Sequence, residues 1–244
     1  KDVAELIREE FLLSLQPDIV HITSLIEGFG DNAVHSIGRS PFDLPTAVTF
    51  YDLIPLIQSE VYLKPNPHFE PLYREKISHL NHASLMLAIS ESSRREALEY
   101  LEFSEKQVVN ISAAVDDNFQ PLTYTADETD TLNGKFGVNR SYLMYSGATD
   151  DRKNHLGLID AYALLPQEIR DAYQLVLVGG LPDDHRYRFE QHIAKVGLSL
   201  KDVLITGRVS DDEMVQFYNQ CALYVFPSQH EGFGLPALEA LSCG

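Results

Sequence analysis

The strongest constraint on this chain is a repeating order in which a short continuous apolar run is followed by a helical pattern. In the second half the runs are YLMYSG (142–147), QLVLVGG (174–180), VLITGRV (203–209) and CALYVFPS (221–228). Helical patterns over HLGLIDAYALL, around RYRFEQHIAKVG and after Ser210 separate them. A strand that is apolar at successive positions is buried on both faces, as in a parallel sheet covered by helices on either side. The first half repeats the scheme with DIVHIT (18–23), AVTFYD (47–52), SLMLAIS (84–90) and VVNIS (108–112). Val3, Leu6, Ile7, Phe11 and Leu13 recur at helical spacing and mark an opening helix that Pro17 stops. Ser93 with Glu96, and Ser210 with Glu213, have the spacing of capping boxes at helix starts.

From Asp116 to Gly137 the chain is polar and broken, with PLTYTADETDTLNGKFG inside it. That stretch predicts a linker at 121–138 between two domains, 1–120 and 139–244. The expected fold class is α/β, with two Rossmann-like parallel-sheet domains facing a cleft. The first domain lacks the opening strands such a fold needs, and the final helical pattern, LPALEALSCG, has no closing strand behind it. Both ends therefore look truncated, and an internal piece of a longer chain is expected.

Composition narrows the function classes. The formal charge is -17, from 19 basic against 36 acidic side chains, a field that repels phosphate backbones and anionic membranes. Nucleic acid is an unpromising partner, and an anionic ligand has to be held by local cations and backbone N–H groups. The two cysteines, Cys221 and Cys243, are too few for a disulfide framework and read as reduced cytoplasmic thiols. No apolar stretch approaches the length of a membrane span, so any membrane contact is expected to be peripheral, and no signal peptide is visible.

The stretch EGFGLPALEALSCG (231–244) carries the chemistry. Pro236 suits a first helical turn. Gly232 and Gly234 let a ligand come within touching distance of the backbone. The helix start then offers N–H groups and the positive end of the helix dipole, an anion site. Such a loop sits at the carboxyl end of a strand, where open α/β sheets bind ligands. Glu239 lies about one turn in, where its carboxylate can accept two hydrogen bonds from adjacent hydroxyls. Glu231 precedes the helix and can reach whatever lies beyond the anion.

This stretch resembles the E-x7-E element of the group 1 retaining glycosyltransferases, enzymes of the GT-B fold that use nucleotide-activated sugars. YSGATDDRKNHLGLIDAYALLP, LVLVGG and LITGRVSDDEMVQFYNQCALYVFPSQHEGFG are similar to the family's donor-domain segments in order and spacing. VTFYDLIPL and LAISESSRREAL resemble its acceptor-domain segments. The resemblance implies that 1–120 is the acceptor side and 139–244 the donor side. It implies that the donor diphosphate lies against Lys153, Arg152 and the backbone of Gly232 and Phe233 to Leu235, that Glu239 takes the ribose, and that Glu231 stands catalytically near the transferred sugar. The Arg-Lys-Asn string is similar to that of polysaccharide mannosyltransferases, so GDP-mannose is the expected donor and a glycan or lipid-linked molecule the expected acceptor. No two aspartates are separated by one residue, so no cofactor and no metal is expected to be required. Three positions depart from the family pattern: Ala148 where many members carry arginine, Tyr51 where many carry histidine, and a glycine loop that would lie upstream of Lys1.

Two other readings compete. Gly28, Gly30 and Ala33 satisfy a G-x-G-x-x-A dinucleotide pattern, with Asp52 ending a later strand, which would suit an NAD(P)-dependent oxidoreductase. That fingerprint has to open a helix, and DNAVHSIGRSPFDLP has poor helical periodicity, so an acceptor-side loop is expected instead. The third reading is a non-catalytic module that binds sugar nucleotide. His21, His35 and His68 form no ligand-spaced cluster.

Overall fold

The structure, a computed structural model, describes residues 1–244. It comprises two compact units: Lys1–Ala113 together with Glu231–Phe233, and Ala114–His230 together with Gly234–Gly244.

In the first unit the order is α1 (Asp2–Ser14), β1 (Val20–Ile22), β2 (Thr46–Phe50), α2 (Ile54–Ile57), α3 (Ser59–Tyr62), α4 (Phe69–Leu80), β3 (Leu85–Ala88), α5 (Glu91–Tyr100) and β4 (Val108–Asn110). The strands form one parallel sheet in the order β1-β2-β3-β4, with Val48 opposite Met86 and Met86 opposite Val108. Ile22, Val48, Phe50, Met86 and Ala97 share its core. The apolar runs of β2 and β3 are thus largely buried strands, as their composition requires, whereas Val109 of β4 is exposed.

Helix α1 forms as read but packs through polar contacts, and one local expectation is corrected. The apolar stripe of α1 does not face the core: Val3, Ile7 and Phe11 are exposed, while Glu5 and Glu9 are buried. The reason is polar. Glu9 accepts from the backbone N–H of Arg39 (2.7 Å) and Ser40 (2.8 Å), and Glu5 accepts from Arg39 Nε at 2.9 Å. Buried carboxylates need such partners, and the segment 36–40 supplies them. The cap of α5 is shifted. Ser90, not Ser93, is the N-cap and accepts from the Ser93 N–H, while Glu96 leaves the helix end to accept from the Leu53 N–H at 2.9 Å.

In the second unit the order is α6 (Ala126–Phe136), β5 (Ser141–Ser146), a 3-10 turn (Asp151–Lys153), α7 (His155–Ala163), α8 (Gln167–Ala172), β6 (Tyr173–Val178), α9 (Asp183–Lys195), β7 (Val203–Ile205), α10 (Asp211–Gln220), β8 (Leu223–Tyr224) and α11 (Leu235–Cys243). All four strands are parallel, in the order β7-β6-β5-β8. One core cluster holds Ile159, Leu175, Leu177, Ile193 and Val203; another holds Tyr142, Met144, Val176 and Phe217. The Ser210–Glu213 capping box forms as read.

Within the stretch read as a linker, residues Ala126–Phe136 fold as α6. Thr125 and Glu128 close a capping box, Gly137 ends the helix in the left-handed region, and Leu132 is buried in the core shared with Met144 and Val176. The strands β7 and β8 are shorter than their apolar runs. Gly207 turns to φ +74 beyond β7. Beyond β8 the ladder ends with Val225 N–H on the Met144 carbonyl at 2.8 Å, because Pro227 has no N–H to donate.

Candidate functional site

Strand β5 is where the second sheet reverses direction: β6 and β7 lie to one side of it, and β8, reached last, lies on the other. Ligand crevices of open α/β sheets form at the carboxyl ends of the two strands flanking such a switch. The loops leaving β5 and β8 carry the candidate donor residues of this unit.

The loop after β5 enters the 3-10 turn Asp151–Lys153, whose N-cap Asp150 accepts from the Arg152 N–H at 3.0 Å. Lys153 is 9% exposed, so little of the residue reaches the open surface. Asn154 follows in the left-handed region at φ 57 and donates from Nδ2 to the Pro227 carbonyl at 3.3 Å. A Cβ at Gly157 would lie 2.3 Å from Asn154 Oδ1, so a side chain there would displace this amide. The string RKN is thus a turn whose Arg152 and Asn154 side chains reach the loop after β8.

That second loop is tied back by Arg152. Its Nη1 donates to the His230 carbonyl at 2.9 Å, its Nε lies 3.7 Å from Asp150, and its carbonyl accepts from the Gln229 N–H at 2.8 Å. The guanidinium, expected on the donor diphosphate, here holds the backbone just before Glu231. Gly234 then caps α11 at φ 97, with Leu235 and Pro236 opening the helix. A Cβ at Gly234 would come within 3.2 Å of the Phe226 ring. The helix dipole places its positive end at this tip.

Glu239 occupies the second turn of α11 and accepts from the Tyr218 hydroxyl at 2.7 Å. That hydroxyl is 2.6 Å from Ser146 Oγ, which is 3.2 Å from the Tyr224 hydroxyl. Burial pushes the Tyr218 phenol far above its ordinary value and the Tyr224 phenol up to about 12. Neither Tyr218 nor Ser146 carries a signal in a single sequence, because their role depends on α10 and β5 meeting α11.

Glu231, Gly232 and Phe233 group with the first unit. The Gly232 carbonyl accepts from Ser93 Oγ at 3.0 Å and from Ser90 Oγ, and a Cβ at Gly232 would lie 2.9 Å from the Tyr51 carbonyl. Space, rather than ligand approach alone, therefore explains this glycine.

The upstream EGFG opens no helix. Gly28 and Gly30 lie in the loop between β1 and β2, where a Cβ at Gly28 would stand 2.6 Å from the Ala33 carbonyl. Asp52 Oδ1 accepts from the Ile54 N–H at 3.0 Å, at the start of α2. The dinucleotide fingerprint is not formed. Glu5, Glu75 and His79 have metal-like spacing, yet Arg39 bonds both carboxylates and the Lys1 ammonium lies 2.8 Å from Glu75. No helix is long and apolar enough to cross a membrane.

Comparison with known proteins agrees with this architecture. Residues 129–244 match the model for glycosyl transferases group 1. The chain is 36% identical over 241 residues to the serotype-specific mannosyltransferase WbdA of Escherichia coli, covering 99% of this chain and 29% of that protein. It is 32% identical over 208 residues to the Escherichia coli O-antigen chain mannosyltransferase B, covering 84% of this chain and 52% of that one. The chain thus spans less than a third of the first relative and about half of the second. Among solved structures, Anabaena Alr3699/HepE in complex with UDP superposes with a TM-score of 0.69 at 20% identity, over 97% of this chain and 60% of that one. Both parallel-sheet units are those of a GT-B protein. Residues 129–244 thus form a domain of the group 1 glycosyl transferases.

Proposed function

We propose that this chain is the working part of a retaining mannosyltransferase that moves mannose from GDP-mannose to a glycan or lipid-linked acceptor. The observation that carries the reading is the similarity to two mannosyltransferases over 99% and 84% of the chain, together with the site built at the β5/β8 switch. In this reading Lys153, supported by Arg152 and the N–H groups of Gly232 and Phe233 to Leu235, holds the donor diphosphate. Glu239 takes the ribose, and Glu231 lies against the transferred sugar.

The chemistry asks for little more. Breaking the bond between the anomeric carbon and the diphosphate oxygen leaves negative charge on the nucleoside diphosphate. A fixed ammonium and oriented N–H dipoles stabilise that charge as it develops, without reorganising. No metal is required on this account. The protein works in the cytoplasm, meeting lipid-linked acceptors through peripheral contact.

Incubating the full-length protein with GDP-mannose, UDP-glucose or ADP-glucose and a mannan-type acceptor, with and without EDTA, tests the reading. Mannose transfer from GDP-mannose in EDTA, giving a product of the donor's anomeric configuration, is expected. Transfer from another donor only, inversion, or a strict metal requirement would refute the corresponding part.

A further inference from the structure

We propose that the hydroxyls of Tyr224, Ser146 and Tyr218 form a one-way hydrogen-bond relay that sets the Glu239 carboxylate, making Tyr218 a positioning residue for recognition of the donor's ribose diol. The inference rests on the reading of Glu239 as the ribose ligand.

Proton counting gives the direction. An ionised carboxylate only accepts, so Tyr218 commits its single proton to Glu239 Oε2 at 2.7 Å. The 2.6 Å contact between Tyr218 and Ser146 Oγ then has Ser146 as donor. Ser146, with its proton committed, can only accept from Tyr224 at 3.2 Å. The Tyr224 hydroxyl also stands 3.3 Å from the Ser146 carbonyl, so its proton is shared between two atoms of one residue. Every hydroxyl donates toward Glu239, the arrangement in which successive bonds polarise one another.

The relay is anchored on rigid elements. Ser146 ends β5, Tyr224 lies in the adjacent strand β8, and Tyr218 stands on α10. Ser146 and Tyr218 are 3% and 4% exposed. The Tyr218 ring is fixed edge-on to Phe119 at 5.8 Å and tilted against Tyr224 at 5.5 Å. Burial keeps the phenol protonated and therefore a donor throughout the working pH range. An unrestrained glutamate must give up rotamer freedom when it binds a ligand, and a carboxylate already held by one oxygen has lost much of it beforehand. Its remaining lone pairs suit two neighbouring hydroxyls.

Calorimetric titration of the full-length protein tests this. The ligands are whichever of GDP, UDP and ADP binds best, and its 2′,3′-dideoxy counterpart. Tyr218→Phe is expected to bind the ribose form about tenfold more weakly and the dideoxy form within about twofold of wild type, the loss of one hydrogen bond to a charged group. Ser146→Ala, one link further back, is expected to cost about threefold for the ribose form alone, and it carries the test if Tyr218→Phe fails to fold by thermal melting. Equal losses on both ligands, or no loss on either, would overturn the relay and leave the donor reading standing. A wild-type protein that binds none of the three nucleotides would remove the donor reading and the relay together.

Discussion

The Arg152 guanidinium donates to the His230 carbonyl at 2.9 Å, and the Arg152 carbonyl accepts from the Gln229 N–H at 2.8 Å. Two loops leaving neighbouring parallel strands are therefore clasped by a single residue through side chain and backbone at once. The clasp lies beside Lys153 and just before Glu231, so it sets the geometry of the segment on which the proposed chemistry depends. An arginine suits this role better than a lysine, because its planar fork can address two acceptors in fixed directions.

Gly234→Ala tests the entry to α11. The residue sits at φ +97, and the new methyl would lie 3.2 Å from the Phe226 ring. A non-glycine residue in the left-handed region costs about 1–2 kcal/mol. A melting temperature lower by several degrees is expected, with weaker nucleotide binding. An unchanged melting curve and unchanged affinity would show that the tip tolerates a side chain.

Glu231→Ala separates binding from turnover. If Glu231 has the proposed place beside the transferred sugar, turnover is expected to fall at least about a hundredfold. Nucleoside diphosphate affinity should stay within about threefold of wild type. A variant that transfers mannose at the full rate would strip Glu231 of its assigned role.

His155 makes a pH signature. It is packed between Tyr145 and Phe189, with ring centroids at 4.7 and 5.0 Å, and burial, followed by the neighbouring Lys153 charge, lowers its pKa from 6.5 to about 4. Above pH 6.5 the ring is neutral in both states and contributes nothing to pH dependence. Between pH 6.5 and 4 the unfolded chain takes up a proton that the folded chain refuses, so stability falls as pH falls. The full difference is about 3 kcal/mol. Denaturant titrations of wild type and His155→Asn across this window should show the variant with the shallower loss. Parallel curves would contradict the assignment.

Thr125→Ala probes the helix inside the apparent linker. Thr125 and Glu128 close both hydrogen bonds of the capping box on α6. Losing an N-cap costs about 1 kcal/mol, and because Leu132 of α6 is in the core of the second unit, that loss should appear in the unit's cooperative unfolding. A melt indistinguishable from wild type would mean that α6 is not part of that unit.

Much of the fold could be read from the sequence because its longer strands carry runs of successive apolar residues. Runs such as QLVLV and LMLA have one stable environment, the middle of a covered parallel sheet. The Ser210–Glu213 box was legible for a different reason, since its two bonds are local. What stayed hidden depends on partners distant in sequence. The apolar spacing marks α1 as a helix but not its buried face: Glu5 and Glu9 are inside because Arg39 and the backbone at 39–40 satisfy them. Glu96 has capping-box spacing with Ser93 but bonds Leu53, 43 positions away. The polar composition of α6 hid a helix that buries a single leucine. At the candidate site, the helix opened by Pro236 and bearing Glu239 was legible from loop chemistry, whereas Arg152 and Lys153 were singled out through the family resemblance. Tyr218 and Ser146 were not, because nothing local marks a tyrosine on one helix as the partner of a glutamate on another.

Binding of a nucleoside diphosphate by the full-length protein tests the central claim most directly. In calorimetric titrations with GDP, UDP and ADP, saturable 1:1 binding is expected, tightest for GDP, and at least about tenfold weaker binding by Lys153→Ala, the loss of one charge-assisted contact. No binding of any of the three, or a Lys153→Ala protein that binds as wild type does, would contradict it.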